Sequence, residues 1–301
     1  MKAVGSFLRE KTRDQGKDQP ACGPGISMTM PELTDSEFNQ LSQLVYQHAG
    51  IHLPLQKKEL VRSRLTKFIR SRKLGSFQEY YHLVLEDTSG LELINLLDAI
   101  STNMTSFWRE PKHFEFLGQE LLPAMRQKCR GAPQWRLWSA GCSSGEEPYT
   151  LAMVLMDKIN PKDLSGVKIY ASDINTQVLN QAQRGIYPIS RVEPLSQEWR
   201  RRFFQKGVNQ WEGFVRVKPE VKQLVEFFRF NLMDVFRFKE EFDIIFCRNV
   251  MIYFEKATQT ELVNKFHQCL KPGGYLFIGH SESLCNVSHQ FAYVKPTIYR
   301  K

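Results

Sequence analysis

The sequence predicts an α/β chain: a small all-α unit, then a Rossmann-like, mostly parallel sheet with an antiparallel edge and a small inserted subdomain. Three observations carry that expectation. Between residues 34 and 100, apolar residues recur at helical spacing with polar faces between them. From Gln134 onward, short apolar runs alternate with amphipathic segments, the signature of a parallel sheet covered on both faces. Within that alternation, Trp135 to Asn160 reads as an apolar strand, a small-residue loop (AGCSSGEEP) and an amphipathic helix.

The elements follow in order. Residues 1–28 are rich in Gly, Pro, Lys, Gln and Asp without periodicity and read as a flexible leader. A helical domain with a linker helix is expected over 29–122. Thr34 and Asp35 offer N-caps, and Phe38, Leu41, Leu44, Val45 and His48 share one face until Gly50. A second helix, 56–73, puts Leu60, Val61, Leu65, Phe68 and Ile69 on one stripe, with Lys57, Lys58, Arg62, Lys67, Arg70 and Arg72 around the rest. Helices at 76–86 and 91–100 complete a small bundle, and Pro123 to Pro133 mark a linker over 123–133.

The sheet domain is expected over 134–301, with strands at 135–139, 167–172, 224–230, 243–247, 274–279 and 293–299. KPGG at 271–274 is a turn feeding GYLFIG, and the last two strands are spaced to form an antiparallel edge pair. Residues 190–222, with Pro194, Trp199, Gly207, Trp211 and Gly213, interrupt the alternation and form the inserted subdomain.

Composition narrows the function classes. A chain of 301 residues that is 42 % hydrophobic has room for two cores, and no apolar run approaches the roughly 20 residues of a membrane span. The N-terminus lacks a secretory pattern, so a cytoplasmic protein is expected. Cys22, Cys129, Cys142, Cys247, Cys269 and Cys285 are scattered without metal-ligand spacing, which predicts reduced thiols and no metal. A net charge of +9 favours an acidic or polyanionic partner without choosing among them.

The loop after the first strand suggests the ligand. A dinucleotide fingerprint needs a third glycine and a bare helix N-terminus, whereas this loop has Gly141 and Gly145 and places Glu146 and Glu147 at the helix start. Carboxylates there repel phosphate and suit a cationic, phosphate-free nucleoside; S-adenosylmethionine fits. Glu147 is expected to face the ligand and Glu146 the solvent, where it serves the helix dipole. Asp173 ends the second strand where an acidic side chain accepts from ribose hydroxyls, or else caps the next helix. Arg248 and Asn249 end FDIIFC and either line the same crevice, with Tyr253 one helical turn further on, or form a strand-ending turn with a solvated Arg and an Asn cap; Asn231 has a similar position after LVEFFRF, or else makes an Asn turn. The segment 101–109, STNMTSFWR, lies between bundle and sheet, where it either caps a helix or closes over a cofactor with its aromatic pair and Arg109.

Taken together, TNMTSFWRE at 102–110, WSAGCSSGEEPYT at 138–150, ASDIN at 171–175, NLMD at 231–234 and FCRNVMIYF at 246–254 closely resemble the chemotaxis receptor methyltransferases, the CheR family. The resemblance runs from about Leu33 to Arg300. It implies a class I S-adenosylmethionine-dependent methyltransferase domain, preceded by a helical domain and carrying the insertion as a small β-subdomain, that methylates glutamate side chains on the cytoplasmic helices of chemoreceptors and releases S-adenosylhomocysteine. Carried over by motif, cofactor contacts fall on Asn103, Thr105, Arg109, Glu147, Asp173, Asn231, Leu232, Arg248 and Asn249. Arg109 and Tyr253 would sit nearest the transferred methyl group, Arg109 guiding the incoming carboxylate and Tyr253 packing near the sulfonium. The basic helix 56–73 would dock an acidic receptor helix, giving a monomer that associates peripherally with receptor arrays and binds no stable nucleic acid. One departure is that GVNQWEG at 207–213 lacks the middle glycine of members that dock a receptor's C-terminal pentapeptide.

Two other readings are weighed. A nucleic-acid methyltransferase suits the positive charge, but adenine-methylating enzymes carry an Asp/Asn-Pro-Pro-aromatic motif where this chain has Arg248-Asn249-Val250-Met251. A non-catalytic S-adenosylmethionine-binding sensor or adaptor has no need of Arg109 and Tyr253.

Overall fold

Thr34 opens the first helix with a capping box: its hydroxyl accepts from the Glu37 N–H at 3.2 Å, and the Glu37 carboxylate accepts from the Thr34 N–H at 2.8 Å. The computed structural model in which this is seen describes residues 31–301, so the leader expected over 1–28 lies outside the described residues. Helix α1 (Asp35–Ala49) ends at Gly50, whose φ of 68° is the left-handed cap that glycine adopts freely. Next come α2 (Lys58–Ser71), led in by a 3-10 turn at Leu55–Lys57, α3 (Phe77–Glu86), capped by Ser76, and α4 (Leu91–Ile100). Phe38, Leu41, Val45, Leu65, Ile69, Phe77, Tyr80 and Leu96 form their common core, each apolar side chain contributing roughly 1.5–3 kcal/mol by burial. Arg64 donates to the carbonyls of Ile100 at 2.6 Å and Ser101 at 3.1 Å, closing the C-terminal end of α4.

Helix α5 (Pro111–Phe116) runs through a π turn (Leu117–Leu121) into α6 (Leu122–Lys128), so much of the stretch expected as linker is helical. The reason is local. The Leu122 N–H bonds to the carbonyl five residues back, and this wider turn accommodates Pro123, which has no N–H to give.

The ten strands among the described residues are β1 (Arg136–Ala140), β2 (Lys168–Asp173), β3 (Ile186–Pro188), β4 (Phe204–Lys206), β5 (Phe214–Val217), β6 (Val225–Arg229), β7 (Phe242–Cys247), β8 (Leu270–Ile278), β9 (Ala292–Lys295) and β10 (Ile298–Arg300). Seven make the main sheet in the order β6-β2-β1-β7-β8-β10-β9, parallel through β8. The segment expected as one strand at 293–299 is instead a hairpin, turning at Pro296-Thr297 with Thr297 at φ 62°. Its second arm, β10, pairs antiparallel with β8 and leaves β9 at the edge. KPGG bulges out of the ladder, because Phe242 pairs with Leu270 but Ile244 with Tyr275.

Helices α7 (Glu146–Lys158), α8 (Thr176–Arg184), α9 (Gln197–Phe203), α10 (Pro219–Lys222) and α11 (Lys256–Cys269) complete the chain. Strands β3, β5 and β4 form a separate antiparallel sheet, which begins at Ile186, ahead of the expected insertion start at 190. Asn209 at φ 55° supplies a left-handed turn residue in the loop that lacks the middle glycine.

Strand order reverses at β1, with β2 on one side and β7 on the other, which opens a crevice beyond their carboxyl ends. The helical unit roofs it. Ile51 bridges Phe254, the His52 N–H donates to the Tyr253 carbonyl at 2.9 Å, and Asp98 accepts from the Thr176 N–H and hydroxyl at 2.9 and 2.6 Å.

Candidate active site

Gly141 makes the turn out of β1. Its φ is 82°, its N–H and that of Cys142 both donate to the Ser172 carbonyl, and a Cβ there would collide with Val250. Gly145 at φ 94° repeats the need one turn later, with Ala182 against it. The loop thus lies flat across the ends of β1 and β2, leaving α7 to start with its two glutamates.

Those glutamates divide their work differently from the expectation. Glu146 does not face solvent. It is fully buried, turned away from the crevice, with Oε2 accepting from the Ser144 hydroxyl at 2.7 Å. Isolation of this kind pushes its carboxyl up, against the opposing pull of Ser144 and Arg191. Glu147 faces the crevice. Its Oε1 accepts from the Ser139 hydroxyl at 2.7 Å and its Oε2 from Arg248 Nη1 at 3.1 Å. Burial raises its carboxyl, opposed chiefly by Arg248.

Asp173 accepts the N–H of Ser143 at 2.8 Å and of Asn175 at 2.9 Å. Burial pushes it up and these backbone donors pull it down. The cap of α8 is Asn175, whose side chain takes the Gln177 and Val178 N–H groups, so Asp173 serves the loop and the crevice.

Arg248, at the end of β7, is buried and fully committed. It donates to Glu110 from Nε at 3.2 Å and Nη2 at 2.9 Å, to Glu147, and to the Arg109 carbonyl, with its guanidinium 5.2 Å from the Phe114 ring centre. Asn249, at φ 59°, donates to Glu110 Oε1 at 3.2 Å. Burial drives Glu110 up, but Arg248, Asn249 and the His280 N–H outweigh it and bring the carboxyl down to about 2.

All ten residues singled out from the sequence line one crevice: Asn103, Thr105, Arg109, Glu147, Asp173, Asn231, Leu232, Arg248, Asn249 and Tyr253. Several are engaged by protein partners there. Arg109 Nη1 donates to the Met104 carbonyl at 2.7 Å, and Asn231 spans from the His48 carbonyl to the Met233 N–H. Lys57 of the helical unit stands 5.4 Å from the Tyr253 ring centre.

Sequence reasoning missed three supports. Glu110 ends TNMTSFWRE, and nothing in its spacing signals the buried partner it finds in Arg248. Ser143, whose hydroxyl donates to the Asn103 carbonyl at 2.9 Å, passed as a small loop residue. Glu282 accepts from the N–H groups of Gly279 at 2.5 Å, Asn249 at 3.0 Å and Ile252 at 3.3 Å, holding the loop that carries Asn249 and Tyr253. No motif marks a carboxylate thirty residues downstream.

Among the described residues one grouping, Glu110, His113 and His280, brings possible metal-ligand atoms within 4.8 Å of one another. Glu110 is already neutralised by Arg248, whose guanidinium would repel a second cation.

A parallel sheet with one reversed strand, a glycine-turned loop after β1 and an acidic residue ending β2 define a class I S-adenosylmethionine-dependent methyltransferase fold. Comparison with known families agrees: residues 103–300 match the CheR methyltransferase SAM-binding domain and residues 36–101 the CheR methyltransferase all-alpha domain. The chain belongs to the CheR methyltransferase family. It is 42 % identical to the chemotaxis protein methyltransferase of Borreliella burgdorferi, across 89 % of this chain and 95 % of that protein. It is 38 % identical to the Salmonella typhimurium chemotaxis protein methyltransferase, across 89 % and 90 %. With chemotaxis protein methyltransferase 2 of Pseudomonas aeruginosa the identity is 42 %, across 88 % and 93 %. No helix among the described residues is long and apolar enough to cross a membrane.

Proposed function

We propose that the protein methylates glutamate side-chain carboxylates on the cytoplasmic helices of chemoreceptors, for adaptation in chemotaxis. The observation that carries this is the crevice itself, whose lining is acidic where a ribose and a cationic amino-acid moiety would lie, with Glu147 and Asp173 both on its wall. S-adenosylmethionine supplies a methyl group on a sulfonium, transferable to a carboxylate oxygen. The rest falls to the protein. Asp173 receives ribose hydroxyls, and Glu147 sets a negative field at the start of α7. Asn103, Thr105, Asn231, Leu232 and Asn249 line the remaining walls. Arg248 works mainly by holding Glu147, Glu110 and the Arg109 carbonyl in register.

A glutamate has a reference pKa near 4.3 and is ionised at neutral pH, so no general base is needed. The enzyme's task is to align the carboxylate with the methyl group and exclude water, with Arg109 and Tyr253 placed at the cavity to do so. When bound, S-adenosylmethionine would supply both the methyl group and, as a neutral thioether, the leaving group, so the chain's own residues would have no proton to hold or move.

The basic face of α2 is proposed as the docking surface for an acidic receptor helix, with the protein acting as a cytoplasmic monomer. Part of its charge is used internally: Lys58 pairs with Asp35, Arg62 with Glu59 and Arg72 with Glu92. Lys57, just ahead of the helix, lines the crevice, while Lys67 lies over the Phe68 ring further along α2.

Incubation with methyl-labelled S-adenosylmethionine and chemoreceptor membranes tests the reading. Label on the receptor that mild alkali releases as methanol is the expected outcome. Alkali-stable label, or label on nucleic acid, would overturn it.

A further inference from the structure

Arg191 lies in the inserted subdomain, in the short turn Ile189–Val192, and reaches out of it toward the cofactor crevice. Its Nη1 donates to the Thr105 carbonyl at 3.0 Å, and its Nη2 lies 3.3 Å from Glu146 Oε1. Thr105 belongs to the segment that walls the crevice, and Glu146 opens α7 directly after the glycine loop. Glu146 Oε1 is buried and makes no hydrogen bond among the described residues, so its compensation is the Arg191 charge.

The rest of the subdomain grips the same two segments. The Tyr187 hydroxyl donates to the Ser144 carbonyl at 2.6 Å, the Phe107 ring meets Tyr187 edge-on at 5.1 Å, and Trp108 meets Trp199 at 4.9 Å. The insertion therefore backs the cofactor loop and the 103–109 wall at once. Tyr187 joins both through its hydroxyl and ring, and Arg191 joins both with a charge.

We propose that Arg191 is a positioning residue for the cofactor: it ties the Thr105 wall to the buried carboxylate that starts α7, so the inserted subdomain sets the width of the S-adenosylmethionine crevice. Without the guanidinium, Glu146 keeps a buried oxygen with no cation, and the Thr105 carbonyl loses its donor. Both relax by moving the wall away from the loop. The proposal rests on the reading that this crevice holds S-adenosylmethionine.

The test is calorimetric titration with S-adenosylhomocysteine, together with steady-state kinetics on receptor membranes, for the wild type, Arg191→Ala, Arg191→Met and Arg191→Ala combined with Glu146→Gln. Arg191→Ala should weaken S-adenosylhomocysteine binding and raise KM for S-adenosylmethionine about tenfold, the size of one charge-assisted hydrogen bond, while KM for receptor stays put. Adding Glu146→Gln should recover part of the loss, since it removes the uncompensated charge. A purely structural role would lower Tm and leave the cofactor KM unchanged at temperatures below unfolding. Where Arg191→Ala does not fold, Arg191→Met keeps the apolar stem and carries the same expectation. Wild-type affinity in either variant overturns the proposal; a wild type that binds no S-adenosylhomocysteine overturns the cofactor reading of the crevice and this proposal with it.

Discussion

Arg248 and Glu110 form a buried ion pair beneath the crevice, with Nη2 2.9 Å and Nε 3.2 Å from one carboxylate oxygen. The arginine side chain is 1 % exposed and the glutamate 12 %. The pair joins the end of β7 to the residue before α5, and Glu147 on α7 shares the same guanidinium. Three elements that wall the crevice thus meet on one cation.

Glu110→Gln should destabilise the protein by about 3 kcal/mol, because it leaves a buried guanidinium half-compensated. The pH dependence has a definite sign. Glu110 is held at about 2 against an ordinary 4.5, so its stabilisation is present above 4.5 and fades as pH falls toward 2. Denaturant unfolding of wild type and variant at neutral and acid pH should show the difference between them shrinking in that window.

His113 points to a second acid-sensitive contact. Burial first, then the charges of Arg248 and His280, bring its imidazole down to about 3 from 6.5. A folded-state value below the unfolded one means that the unfolded chain takes up protons first, so stability falls as pH drops from 6.5 toward 3. His113→Phe, which preserves the packing against Phe277, should flatten that slope at the cost of the 2.7 Å contact with Thr297. A wild-type slope in the variant would move the acid sensitivity elsewhere.

Asp173→Asn should weaken S-adenosylhomocysteine binding by roughly 10- to 100-fold, since the amide turns an NH₂ toward donors that now meet an oxygen. Much of the effect should appear in KM for S-adenosylmethionine. Isothermal titration separates it from folding, and unchanged affinity would remove Asp173 from the cofactor site.

Gly141→Ala combines a left-handed backbone with a clash against the Val250 side chain. The backbone term alone costs about 1–2 kcal/mol, and the clash displaces the loop that carries Asn249 and Tyr253. Thermal unfolding should show the lowered stability, and titration should show cofactor affinity falling with it.

On α2, Lys67→Glu should raise KM for receptor more than Arg62→Glu does, because Glu59 lies 2.6 Å from Arg62 and already offsets its charge. Cofactor affinity should stay constant in both, and the effect should shrink with added salt. Unchanged receptor kinetics would count against docking on this face.

The sequence made the crevice legible because its residues sit at strand ends and helix starts, where spacing alone places them together. Gly141, Glu147, Asp173 and Arg248 belong to that kind. What stayed hidden depends on contacts distant in sequence: Glu110 with Arg248, Glu282 beneath Asn249, Arg191 against Glu146. Glu146 faced inward because the insertion supplied a cation that no local pattern announces. The hairpin at 292–300 was read as one strand because Pro296 and Thr297 carry no Gly or Asn to signal the turn, although Thr297 adopts a positive φ. Pro123 was read as a linker mark because a π turn that accommodates proline leaves no trace in periodicity.

The most direct measurement maps the transferred group. Receptor treated with this protein and methyl-deuterated S-adenosylmethionine is digested, and its peptides are sequenced by mass spectrometry. The account predicts deuterated methyl esters on glutamate side chains of the cytoplasmic helices, lost in the Asp173→Asn variant. Label on lysine, on asparagine or on no receptor peptide would contradict it.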